Sequence, residues 1–305
     1  MNPPFDRFEP SATQWHTANA LALAHVSNLA YEGDGNKILQ QLLDWGFPED
    51  NCRVFTESTA QVLAAANEKM IIVAFRGTEP DKLADWLVNA EIIQKPWRVF
   101  FGEPDLGRVH HGFMRNTAFV WEQLSQFVAG GRAAPKGSAG GRTNNQTLWL
   151  AGHSLGGAMA LIAGAAFAFS EHQTVNGIYT FGQPRTGNRG FVVKCNQSLR
   201  NATFRVVNNE DVVPHVPPAF IPFLLIPPHG PIFYRHAGEL LHFDAAGKLH
   251  TDSALWWRTA LKFVSPRRRV KRQLTATTAG FAPLDDHSLD AYIQKLQAWL
   301  DAGNP

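Results

Sequence analysis

Cysteine is nearly absent: Cys52 and Cys195 are two residues in a chain of 305. Neither sits in a C-x-x-C pair or beside histidines at metal-ligand spacing. That excludes a disulfide-built scaffold and a cysteine zinc site, and leaves two free core thiols as the expectation rather than one disulfide. An excess of one charge is missing too. Lys and Arg total 28 against 26 Asp and Glu, a net charge of +2. No basic stripe carries interleaved aromatics, so nucleic acid is not an expected partner. The longest apolar stretch, 217–228, is interrupted by five prolines, and a membrane span needs about 18 uninterrupted apolar residues. No transmembrane segment is expected. The start, Met1-Asn2-Pro3-Pro4-Phe5-Asp6-Arg7, has prolines and an acid where a secretion signal needs a basic start and an apolar centre, so none is expected and the default location is cytoplasmic. H-E-x-x-H and calcium-loop patterns are also lacking, and nothing calls for a metal or other cofactor.

What is present is a 45% hydrophobic, 18% charged chain, a composition that suits one large α/β domain over 1–305. Residues 70–75, Met-Ile-Ile-Val-Ala-Phe, read as a central strand because the run is apolar on both faces. Residues 53–55, 147–150, 177–181 and 203–207 read as further strands. Helices are expected from a cap at Ser11 or Thr13 to Tyr31, and over 37–45, 112–129, 155–169, 189–199 and from His287 or Ser288 to Leu300. The alternation predicts a mainly parallel sheet. Residues 233–249 read as a hairpin, 80–94 as a short amphipathic helix carrying Leu83, Trp86 and Leu87, and 130–142 as a Gly-rich surface loop. The basic run 267–272 reads as a solvated connection.

The chain is organised around Gly152-His153-Ser154-Leu155-Gly156-Gly157, which places a serine where an apolar strand gives way to an Ala-rich helix. That is the shape of a nucleophile elbow. A serine nucleophile needs a base, an acid that orients the base, and donors for the oxyanion. Asp211 follows the 203–207 strand, with Glu210 as its neighbouring competitor. His287 precedes the last helix, with His215, His236, His242 and His250 as rivals on position. Leu155 N–H is the natural first oxyanion donor, and Thr78, just past the central strand, can offer both N–H and hydroxyl.

These stretches resemble the class 3 lipase family. Phe75-Arg76-Gly77-Thr78 is similar to its oxyanion segment, Asp85-Trp86 with Asn89 to its lid region, and Val109-His110-His111-Gly112-Phe113 to the strand entering the next helix. Phe181-Gly182-Gln183-Pro184-Arg185-Thr186-Gly187-Asn188, Asp211-Val212-Val213-Pro214 and Asp286-His287 are likewise family-like. The resemblance implies an α/β-hydrolase fold with a short helical lid over 80–95, in which Ser154 is nucleophile, Asp211 acid and His287 base. Thr78 and Leu155 would be the oxyanion donors. Leu83, Trp86 and Leu87 would be the lid and acyl-binding residues. Trp97, Phe100 and Phe101 read as extending that apolar surface, and 217–228, which leaves the acid loop and cannot continue a strand, reads either as lining the mouth or as ordinary loop packing. The resemblance implies an acylglycerol or other lipid ester as substrate, met at a lipid–water interface. Phospholipase A1, feruloyl or short-chain esterase activity and acyl transfer are the alternatives, and a silent lipid-binding fold is the distant one. With two cysteines and no signal, the chain looks more bacterial than fungal.

Overall fold

The computed structural model describes residues 4–79, 82–83, 92–133, 146–222, 231–251 and 285–304. An eight-stranded sheet runs in the order β1-β2-β3-β6-β7-β8-β11-β12. Its strands are β1 Cys52–Glu57, β2 Ala60–Ala66, β3 Met70–Phe75, β6 Thr147–His153, β7 Gly177–Phe181, β8 Thr203–Asn208, β11 Glu239–Phe243 and β12 Leu249–His250. The five consecutive strands from β3 to β11 are parallel; β1, β2 and β12 are antiparallel additions at the two edges.

Both faces of the sheet are buried, and the side-chain alternation of β3 shows how. Ile71, Val73 and Phe75 point into a core shared with helices α3 (His111–Ala133), α4 (Leu155–Phe169) and α5 (Arg189–Leu199). Met70, Ile72 and Ala74 point into a second core with α1 (Thr17–Leu29), α2 (Gly35–Asp44) and α6 (Leu289–Asp301). A strand covered on both sides must be apolar at every position, which is why β3 reads as one unbroken run. This is an α/β-hydrolase architecture.

Several expectations need correction. Helix α1 starts at Thr17, with His16 rather than Ser11 or Thr13 at its cap position and no side-chain cap; the Ser11 hydroxyl donates to the Glu9 carboxylate at 2.6 Å. β2 was not anticipated; its Ala-rich run Ala60–Ala66 is buried throughout but lacks the β-branched signal of a strand. Gly130, Gly131 and Arg132 belong to α3 rather than to a loop. The hairpin is narrower than expected: β11 and β12 pair around the Asp244–Lys248 turn, while Phe233 lies in a separate ribbon of β9 (Phe220–Ile221) and β10 (Ile232–Phe233). Gln94 is in a strand, β4 (Gln94–Pro96), paired with β5 (Arg108–His110). Trp97 does not extend an acyl surface; it is fully buried and stacks on Phe101 at 4.6 Å and Phe191 at 5.9 Å. Cys52 and Cys195 are buried and not joined to each other. Among the described residues no helix is long and apolar enough to cross a membrane. The remainder of the 130–142 tract and of the 217–228 stretch, and the basic run 267–272, lie outside the described residues.

Candidate active site

β6 ends at His153, and the chain reverses into α4 through Ser154, whose backbone sits at φ 58°, ψ −129°. That conformation is costly for any residue with a Cβ. It persists because the turn is pinned on both sides: Ser154 N–H donates to Phe181 O at 2.9 Å, and Gly157 N–H donates to Ser154 O at 3.0 Å. The flanking glycines are dictated by close approach. A Cβ on Gly152 would lie 2.3 Å from the Gly156 carbonyl, and one on Gly156 would lie 2.1 Å from Phe75 O. The elbow is thus packed against the neighbouring strand end with no room for a methyl group. Leu155 opens α4, where unpaired helix N–H groups concentrate.

Asp211 follows the end of β8, and its carboxylate is fully buried. Oδ1 accepts from Val213 N–H at 2.8 Å. Oδ2 accepts twice, from His287 Nδ1 at 2.8 Å and from Tyr292 Oη–H at 2.5 Å. A ring that donates from Nδ1 carries its lone pair on Nε2 when neutral, the arrangement a general base requires. His287 Nε2 and Ser154 Oγ are both buried with no hydrogen-bond partner among the described residues. The rival residues stand elsewhere. Glu210 offers its backbone N–H to Asp286 Oδ2. His236 meets Pro214 O, His242 meets Asn209 O, and His250 meets Asp244. Burial, reinforced by Arg185 and Arg205, pushes His215 down to about 3.

The histidine loop is held by elements distant in sequence. Asn208 Nδ2 donates to Asp286 O at 2.8 Å, and Asn209 Nδ2 to Asp286 Oδ2 at 2.9 Å. His153, the residue before the nucleophile, sits with its ring 4.4 Å from that of His287 and its Nε2 2.7 Å from His287 O. A carbonyl only accepts, so His153 Nε2 carries the hydrogen. Burial first, and the neighbouring His287 second, hold the His153 pKa well below the usual histidine value. The ring is therefore neutral and its Nδ1 accepts from Tyr31 Oη–H, 2.7 Å away. The Tyr31 oxygen in turn receives the Gly77 N–H. One directed chain, Gly77 to Tyr31 to His153 to His287, links the residue beside Thr78 to the base. Tyr31, His153 and Tyr292 carried no sequence signal for this role, since each finds its partner only in the folded chain.

A cavity of about 490 Å³ opens here, lined in part by Tyr31, Thr78, Leu83, His153 and His287. Of the expected site residues, Thr78, Leu83 and His287 line it; Asp211 is tied to His287 by its hydrogen bond, and Ser154 and Leu155 follow His153 at the elbow. Trp86 and Leu87, and with them most of the expected lid, lie outside the described residues.

The sequence compares well with known lipases. Residues 72–221 match the family model of lipase (class 3), a span from β3 to β9 that holds Thr78, Ser154, Leu155 and Asp211 and stops short of His287. Triacylglycerol lipase OBL1 of Arabidopsis thaliana is 28% identical over 211 residues, 58% of this chain and 38% of that protein. A lipase of Rhizomucor miehei is 29% identical over 201 residues, 60% of this chain and 44% of that one. The chain thus spans under half the length of these two curated relatives. In fold it resembles the Lip2 lipase of Yarrowia lipolytica, with a TM-score of 0.55 at 21% identity over 74% of this chain and 78% of that one. With the family's match running from the central strand through the elbow to the acid loop, residues 72–221 belong to the class 3 lipase family.

Proposed function

We propose that this protein is a serine carboxylic ester hydrolase that cleaves acylglycerol esters, most directly triacylglycerols, at a lipid–water interface. The observation that carries the reading is the Asp211–His287 pair, which leaves Nε2 as the free lone pair on a ring packed 4.4 Å from that of His153, the residue before a strained, buried serine. In the reaction, Ser154 Oγ attacks the ester carbonyl carbon while His287 Nε2 takes its proton. The tetrahedral oxyanion is met by the Leu155 N–H and by Thr78. His287 returns the proton to the departing alcohol, leaving an acyl group on Ser154, and water deacylates it by the same steps in reverse order. Asp211 orients the imidazolium through its hydrogen bond to Nδ1. Leu83, beside Thr78, supplies apolar wall to the acyl chain. The fold is supported by solved lipases and the family by its sequence model; the substrate is inferred from the names of the relatives, with Leu83 and Leu289 as the aliphatic part of the cavity wall.

The test is hydrolysis of a triglyceride emulsion, a phospholipid vesicle and short-chain nitrophenyl esters, wild type beside Ser154→Ala, with fluorophosphonate labelling read by mass spectrometry. The expected outcome is an adduct on Ser154 and release of fatty acid from the emulsion. No adduct, or full activity in Ser154→Ala, rejects the mechanism. A sharp preference for acetyl or feruloyl esters or for phospholipid replaces the substrate and keeps the mechanism.

A further inference from the structure

On the surface formed by β4, β5, the start of α5 and the β9–β10 ribbon there is a cleft of about 790 Å³. Four cationic side chains line it, Lys95, Arg108, Arg189 and Arg235, and no carboxylate does. None of the four takes part in an ion pair among the described residues, whereas Lys37, Lys82 and Arg200 elsewhere each lie within 4 Å of a glutamate. In a chain whose net charge is only +2, such a cluster is a local concentration of charge rather than a general basic excess.

The apolar residues of the same surface are equally unusual. Phe220 and Phe233 face each other across the ribbon with ring centroids 5.1 Å apart, yet they remain 53% and 48% exposed. Ile93, at 41%, lies in the cleft with Phe233. The surface is one piece: Gln94 Nε2 donates to Phe233 O at 2.9 Å, Tyr234 Oη–H to Ile92 O at 3.1 Å, and Arg235 N–H to Gly187 O at 2.8 Å. Paired aromatics beside unpaired cations match the two layers of a lipid leaflet, rings at the acyl boundary and guanidinium groups on headgroup phosphates.

We propose that this surface docks the protein on membranes or droplets carrying anionic phospholipid, which rests on the reading of the protein as a lipid ester hydrolase and names the headgroup charge it seeks. A soluble anion would have no use for two outward phenylalanines, so charge and apolar exposure together select a lipid surface.

The experiment is vesicle sedimentation of the full chain in the Ser154→Ala background, with phosphatidylcholine vesicles containing either no phosphatidylglycerol or about 30 mol% of it as the probes. Binding is expected to need the anionic lipid and to weaken with added salt. The Lys95→Glu, Arg189→Glu, Arg235→Glu triple variant should lower the partition coefficient by about tenfold or more, and Phe220→Ser with Phe233→Ser should lower it without changing its salt dependence. Equal binding to both vesicles, an unaffected triple variant, or displacement by inorganic phosphate at constant ionic strength overturns the proposal. Hydrolysis of a soluble nitrophenyl ester by the charge triple variant with Ser154 restored keeps the two readings apart: it should match wild type, and its absence in wild type would sink the hydrolase reading instead.

Discussion

The nucleophile and the base are held in place by opposite means. Ser154 is fixed by main chain alone: a strand, a strained turn and a helix local to it, Phe181 O on its N–H, and two glycines pressed against backbone, Gly152 on Gly156 and Gly156 on Phe75. His287 is fixed by hydrogen bonds reaching across the fold, from Asp211 76 residues away, from His153 134 away and, through Asp286, from Asn208. Short-range steric demands leave marks in the sequence, because only certain residues survive them. Long-range hydrogen bonds leave almost none, because a tyrosine that supports a carboxylate looks like any core tyrosine.

The largest effect that separates the two is expected at Ser154→Gly. Ester hydrolysis should fall by about 10⁴-fold or more, since the nucleophile is gone. Stability should rise by about 1 kcal/mol, since glycine relieves the left-handed φ and removes a buried hydroxyl without a partner. Urea unfolding beside a turnover assay reads both. A loss of stability would mean that the elbow is not strained.

The region around the histidine and acid loops should break first in acid. His153, His215 and His236 are all held below the ordinary histidine value, chiefly by burial, His215 to about 3. In each case the unfolded chain takes up a proton near pH 6.5 that the folded chain refuses. The stability is therefore complete above about pH 6.5 and is lost as pH falls below it, for His215 down to about 3. Between pH 7.5 and 5.5 the three together should cost about 4 kcal/mol. Urea midpoints at the two pH values check this; a pH-independent midpoint would show that the rings are charged or solvated in the native state.

The same contrast explains what could be read from the sequence. β3, α4 and β7 match their expected bounds residue for residue because a doubly covered strand or a helix buried on the sheet admits few charged residues, and α5 matches because Asn188 caps it and its buried residues Phe191, Val192, Cys195 and Leu199 recur at helical spacing. β2 escaped notice because alanine serves a crowded strand as well as it serves a helix. The ribbon at Phe220–Ile221 and Ile232–Phe233 escaped because two-residue strands have no period. Ser154, Asp211, Thr78 and His287 could be nominated from motif and order, and the structure adds the bond between Asp211 and His287. Tyr31 and Tyr292 could not be nominated, for their role exists only at distances of 122 and 81 residues along the chain.

Tyr292→Phe tests the first of these supports. It removes one of the two donors on Asp211 Oδ2 and leaves the ring in the core. Loss of a hydrogen bond to a charged acceptor is worth about 1.5 to 3 kcal/mol, so kcat should fall about tenfold with KM for a soluble ester unchanged. A variant that loses stability while kcat stays put would make Tyr292 a packing residue alone.

Tyr31→Phe should give the smallest effect, because Tyr31 touches neither the base nor the acid. Its hydroxyl lies between the Gly77 N–H and His153 Nδ1, so the variant leaves one donor and one acceptor without their present partner. His153 would keep its bond to His287 O but lose the anchor that sets its ring plane, and Thr78 would lose the tie that holds its neighbour against the elbow. The expected result is a fall in kcat of about threefold to tenfold on a soluble ester, with KM unchanged and a stability loss of about 1 kcal/mol. His153→Gln should mimic it, since an amide can still donate to His287 O while failing to reproduce the imidazole plane. If Tyr31→Phe lowers stability by that amount and kcat does not move, then the base is held by Asp211 and Tyr292 alone, and the chain from Gly77 to His287 is scaffold.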